Sequence, residues 1–397
     1  GNELLYHLDR GSLALYLGDG DEAFRRFNEA ETTVERHFSR SISRDVGSYL
    51  LNDSVLPYPG EPYEDQYANV FKLLVQLQRG EVVGGATVEA RRLIEKADLQ
   101  RQRYVQLVTK LREDPDIGPE LAGSRSPILV EDQDEGRFLE STLGTYLSLL
   151  TWARAGEYDF QQTAAQRLLS SIELQQDIMP RVNPEPFQDL HLIDRDSLDL
   201  LLVIFTGRGP SKRAETLRAG WGKVGTKVEW PVLVQHPSAV HSIEVRIDEE
   251  PFRELALVED LSAAAAETYR RQLPLIYAKS VGRALFKSIL RYAVIETAED
   301  YHEDRVENKK RNVGDDLLLF GSHVLGFLIS ETEQADLRYW TSMPGQAHVG
   351  AFDLAPGEHQ VTLEYRRRDG SILGRPKVYT VTVEPGRMAV LTTYKPR

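Results

Sequence analysis

The chain has 397 residues, a formal charge of −13 and 41% hydrophobic residues, enough for two or three domains with substantial cores. That charge argues against a general nucleic-acid binder, because neutralising phosphate takes a basic field. The lack of cysteine excludes disulfides, thiolate zinc sites and a cysteine nucleophile, and no run reaches the roughly 18 uninterrupted apolar residues of a membrane span.

From Glu3 to about Pro180 the pattern is helical, with Leu4, Leu8, Leu15, Phe24, Phe27 and Val34 at helical spacing. Gly18-Asp19-Gly20-Asp21-Glu22-Ala23, followed by Phe27 and Ala30, reads as the turn and second helix of a tetratricopeptide-type hairpin. Gly11 falls where its two helices would cross. Weaker versions follow. Tyr67, Val70, Leu73, Leu74 and Leu77 lead to Gly80 and then Gly85 and Ala90, while Leu143, Tyr146, Leu149 and Trp152 lead to Gly156 and then Ala165 and Leu168. The turn glycines do not keep the regular repeat length of about 34 residues, so the array is irregular.

After Pro180 the texture changes. Leu198 to Phe205 is an apolar run ended by Gly207, as a buried strand would be, and Val228–Val234, Ser242–Ile247 and Arg253–Val258 have strand length and alternation. A helical block runs from Leu261 to about Glu299, a charged linker follows, and Leu317–Ile329 reads as a buried helix. Beyond Pro344 the chain is all β in character, with turns at Pro356-Gly357, Asp369-Gly370 and Pro385-Gly386. These last residues are too few for a sandwich of their own and are expected to complete a sheet begun between Leu198 and Val258. The predicted fold class is α+β: irregular tetratricopeptide-like hairpins over 1–185, then a mixed β-sheet or sandwich region over 186–397. The latter comprises strands at 198–258, inserted helices at 261–332 and terminal strands at 346–397.

No reaction centre stands out. Gly207-Arg208-Gly209-Pro210-Ser211-Lys212 has the wrong spacing for a phosphate-binding loop, and Pro210 removes a donor, so it reads as a strand-exit turn. His236 and His241 form no recognised zinc pair, and the acidic cluster around His302 lacks the ligand pattern of a calcium loop. The expectation is therefore no catalytic residue, no metal and no cofactor. Lys279, Arg283, Lys287 and Arg291 fall four apart along one helix, a basic stripe suited either to internal salt bridges or to an anionic partner. Trp340, at the junction with the terminal strands, could anchor a partner or pack two layers together.

Leu8-Asp9-Arg10-Gly11-Ser12, the Gly18-Asp19 turn, Glu89-Ala90-Arg91-Arg92, Gly207 with Pro210 and Lys212, Ala278 to Lys287, Arg338 with Trp340, Pro344 and Gln346, and Leu354 with Pro356-Gly357-Glu358 together resemble an uncharacterised bacterial outer-membrane lipoprotein family. The resemblance spans nearly the whole chain. It implies a protein on the periplasmic face of the outer membrane, held by a lipidated cysteine upstream of Gly1, with no known enzymatic activity. The start at Gly1, without Met, fits a processed N-terminus. Gly84 and Gly85 depart from the family pattern and predict a distorted second hairpin, since Gly weakens a helix by up to about 1 kcal/mol relative to Ala. The leading functional expectation is a non-catalytic envelope scaffold that binds a protein partner in a helical groove near Tyr16 and Tyr67, with Trp340 as a further contact. The alternative is a module for an anionic lipid headgroup or glycan centred on Lys279, Arg283 and Lys287. Neither involves nucleic acid, membrane attachment would run only through the lipid anchor, and a homo-oligomer stays open.

Overall fold

The computed structural model describes residues 2–43, 57–113, 140–221, 224–270 and 335–396, which form a mixed α+β structure. Six helices build its first layer: α1 (Glu3–Tyr16), α2 (Gly20–Ser43), α3 (Pro62–Gln78), α4 (Thr87–Glu113), α5 (Thr142–Ala155) and α6 (Tyr158–Leu174). They pair as hairpins whose turns are Gly18, Gly80 and Gly156, each at a positive φ that other residues adopt at a cost. In the first hairpin the two backbones cross at Gly11, where a β-carbon would lie 2.8 Å from the Phe27 ring. Ala23, Phe27 and Ala30 are completely buried along that crossing. The second hairpin is distorted where the sequence places its two glycines: the backbone leaves helical geometry at Val83 and Gly84 before α4 begins.

The middle helix, α3, is enclosed from Tyr63 to Leu77. Its apolar positions face the core, and its polar ones must find partners inside the protein because no water can serve them. Asp65, Asn69 and Lys72 accordingly meet Glu31 of α2 and Glu89 and Lys96 of α4.

The second layer is a sheet in the order β10-β1-β7-β6, from β1 (Leu200–Thr206), β6 (Ala256–Glu259), β7 (Gln346–Phe352) and β10 (Ala389–Lys395). The third is antiparallel, in the order β5-β4-β8-β9, from β4 (Ser242–Ile247), β5 (Arg253–Glu254), β8 (Gly357–Arg366) and β9 (Lys377–Val383). A separate ribbon pairs β2 (Arg208–Trp221) with β3 (Val224–His236). The terminal strands do complete sheets begun before Val258: β10 runs parallel to β1, β7 antiparallel to it, and β8 pairs with β4.

Strand β1 explains the uninterrupted apolar run. Leu201, Val203 and Phe205 face the helices, whereas Leu200, Leu202 and Ile204 face Ile243, Val245, Val361 and Leu363 of the third layer. A strand covered on both sides needs no polar alternation. Arg253–Val258, read as one strand, is divided: β5 belongs to the third layer and β6 to the second, with the Leu255 N–H donating to the Ile243 carbonyl between them. One hydrophobic cluster runs from Leu4 through the helices and the middle sheet to Met388, so the helical region and the sheet share a core across the predicted boundary at 185/186. Of the predicted inserted helices, residues 261–270 are helical, and the rest of that prediction, with Leu317–Ile329, lies outside the described residues.

Candidate functional site

The three aromatics proposed as partner contacts join the layers from inside. Tyr67 is 2% exposed, and its hydroxyl donates to Glu259 at 2.8 Å. Trp340, also 2% exposed, sets its ring edge-on to Phe71 at 5.3 Å and Phe27 at 6.1 Å. Its indole N–H donates to Ser12 and Ser342, each at 3.0 Å. Tyr16 is half-buried against Tyr394 and donates to the Ser342 carbonyl at 3.2 Å. A partner cannot reach Tyr67 or Trp340 without opening the core, so their proposed contact role is corrected to packing. Lys279, Arg283, Lys287 and Arg291 lie outside the described residues, as does the cluster around His302.

Two carboxyl groups are completely enclosed. Glu64 accepts from the Tyr58 hydroxyl at 2.7 Å, the Glu61 N–H at 2.9 Å and the Trp340 N–H at 2.7 Å. Glu259 is turned inward by a register shift between Leu257 and Glu259. It accepts from Tyr67, from Ser141 at 2.6 Å and from the Leu143 N–H at 2.9 Å, capping the first turn of α5. Burial outweighs these donors and pushes each pKa up to about 7. Such an acid binds its proton more tightly when folded, so stability rises as pH falls from about 7 towards its ordinary 4.5 and is flat outside that window. Relative to Glu259→Gln, the wild type should gain about 1.4 kcal/mol per pH unit across it. Urea unfolding of both proteins between pH 5 and 8 checks this, and a pH-independent difference would refute it.

The remaining sequence candidates are structurally occupied. Gly207 donates its N–H to the Lys395 carbonyl and Gly209 to the Met343 carbonyl, so these donors are not aimed at a phosphate. Lys212 ends in an ion pair with Glu61 and lies over the Tyr58 ring. His348 is buried on β7, and burial, with Arg181 and His241 adding to it, pushes its pKa down to about 3, a neutral imidazole. Among the described residues no three His, Asp or Glu side chains gather as metal ligands would.

One concave feature among the described residues lies between α3, α4, α5 and α6: a shallow cleft of about 50 Å³ that opens to solvent. Leu93, Gly144, Ala164 and the buried Trp152 line its depth, with Ile94 and Phe160 at its exposed sides. The Ser148, Thr145 and Thr163 hydroxyls donate to carbonyls one turn back, which commits their protons and leaves their oxygens as acceptors. Gly144 lets α5 approach α3 and α4: a β-carbon there would stand 3.0 Å from Val70 and 3.3 Å from Leu93.

No known protein family, curated protein or solved structure matches the chain.

Charge at the cleft is sparse and ordered. Arg167 pairs with Glu140 at one side. At the other, the Arg91 guanidinium sits 5.4 Å from the Trp152 ring centre and 5.6 Å from that of Phe160, and the two rings stack at 4.8 Å. Among the described residues that line the cleft, the titratable side chains are Glu140 and Arg167, which pair with each other. The arrangement can bind an apolar group. Sequence reading placed Trp152 on a core face and named Arg91 without a role. Phe160, two residues beyond the exposed Tyr158 at the start of α6, was the available signal.

Proposed function

We propose that the protein is a non-catalytic scaffold of the bacterial cell envelope that holds a segment of a partner protein in the cleft between α3, α4, α5 and α6. The cleft carries this reading: an apolar depth, stacked aromatics and internally bonded hydroxyls suit side-chain capture. The paired helices with positive-φ turn glycines, and the close approach at Gly11 in the first hairpin, support the tetratricopeptide-like description of the helical half. The periplasmic setting and the lipid anchor rest on the lipoprotein resemblance alone.

Site-specific photo-crosslinking in the envelope tests the reading. Probes at Ile94 and Thr163, inside the cleft, should yield adducts with one and the same partner, whereas a probe at Val378, exposed on β9, should not. Filling the cleft with Thr163→Trp should reduce the Ile94 adduct about tenfold or more, the consequence of losing about 1.4 kcal/mol. Equal adducts from all three positions, or adducts indifferent to Thr163→Trp, would overturn it. Adducts with lipid or glycan in place of protein would favour the anionic-ligand alternative.

A further inference from the structure

We infer that the segment captured by the cleft belongs to a partner protein and carries an acidic side chain next to its apolar anchor, with Arg91 receiving the carboxylate. The inference rests on the scaffold reading and adds the chemistry of the occupant.

Arg91 is exposed, and among the described residues no carboxylate pairs with it, although the chain is rich in acids. Its neighbour Arg92 behaves in the ordinary way, reaching Glu31 at 3.3 Å and Glu89 at 3.5 Å. What holds Arg91 is aromatic: the Trp152 and Phe160 rings, which also line the cleft. A guanidinium resting on aromatic faces keeps its N–H edge free, and that edge matches a carboxylate with two parallel hydrogen bonds. The rings exclude water from one side of the cation and fix its position before binding, which strengthens a charge-assisted bond and lowers the cost of ordering the side chain. Within the lining Glu140 already neutralises Arg167, so the unmatched positive charge beside the cleft, resting on two of its lining rings, is at Arg91. An apolar side chain seated against Leu93 and Ala164 with an acidic neighbour satisfies both the cavity and the cation.

The test is selection of phage-displayed dodecamer peptides on the full chain, eluted by competition and counter-screened on Ile94→Glu. An apolar residue with Asp or Glu within two positions of it should be enriched. A synthetic peptide of the selected sequence should lose about tenfold or more in affinity on Arg91→Gln, and as much when its acid is changed to the amide. Combining the two changes should cost little beyond either one, because both remove the same contact. The amide peptide leaves the protein untouched, so the outcome does not depend on how well Arg91→Gln folds. Apolar enrichment without acid preference would overturn this inference while leaving the scaffold reading standing. Absence of any peptide sensitive to Ile94→Glu would overturn both. Selected sequences that match a segment of this chain would make a second copy the occupant and overturn the assignment to a partner protein.

Discussion

Replacing Lys72 by Met is expected to cost about 3–5 kcal/mol of stability, because it strands buried carboxylates without their cation. The Lys72 side chain is completely enclosed, 2.6 Å from Glu31 and 3.2 Å from Glu89. Lys96 closes the same cluster through Asp65 at 2.6 Å and Glu31 at 3.4 Å, together with Asn69. Two lysines thus face three carboxylates, with Arg92 at the rim. Burial pushes the Glu31 carboxyl up, but Lys96 and Lys72 overcome it and hold the pKa down at about 2. An acid held that low stabilises the fold above its ordinary 4.5 and loses the contribution as pH falls towards 2. Urea unfolding at pH 7 measures the loss. Adding Glu89→Met to Lys72→Met should recover part of it by restoring the balance of charge, and a single-variant loss below about 1 kcal/mol would show the cluster to be unimportant.

Trp340→Ala is the second large effect, expected at about 3–5 kcal/mol. The indole fills the space between Phe27 of α1–α2's hairpin, Phe71 of α3 and the start of the terminal β region. Its removal leaves a cavity, takes a donor from Ser12, and loosens the backbone whose N–H reaches Glu64. Because the same cluster continues from the helices into the middle sheet, the damage should not stay local. Wild type and variant should each unfold in one transition, with circular dichroism and tryptophan fluorescence giving coincident midpoints. A variant that loses its β region while keeping intact helices would show that the two halves are separate cooperative units.

Much of the fold was legible because its signals are local. A glycine at positive φ after an amphipathic helix, as at Gly18, Gly80 and Gly156, announces a turn without knowledge of what lies across it. The apolar run of β1 announces burial on both faces. The division of Arg253–Val258 between two sheets was hidden because its alternation continues through Leu255. Long-range partners were hidden as well. Tyr67 is amphipathic and sits on a helical face, features that serve a groove as well as a core, and only the inward turn of Glu259 decides between them. The cleft itself depends on how α4 lies against α5 and α6, which no local pattern encodes. Its one sequence trace, Phe160 beside a turn, is an exposed aromatic of a kind common on protein surfaces.

The parallel pairing of β10 with β1 has a consequence for how the protein is made. Strand β1 lies near the middle of the chain, yet both its neighbours in the sheet, β7 and β10, come from residues 346–395. During synthesis from the N-terminus, Leu200–Thr206 must wait with its edges unpaired while well over a hundred further residues emerge, an interval in which an apolar strand seeks other edges. Contacts of such sequence separation also slow folding, since the intervening chain must be ordered before they form. Deleting β10 would remove one whole edge of the most buried strand, so the loss of those seven residues should be far more damaging than their number implies.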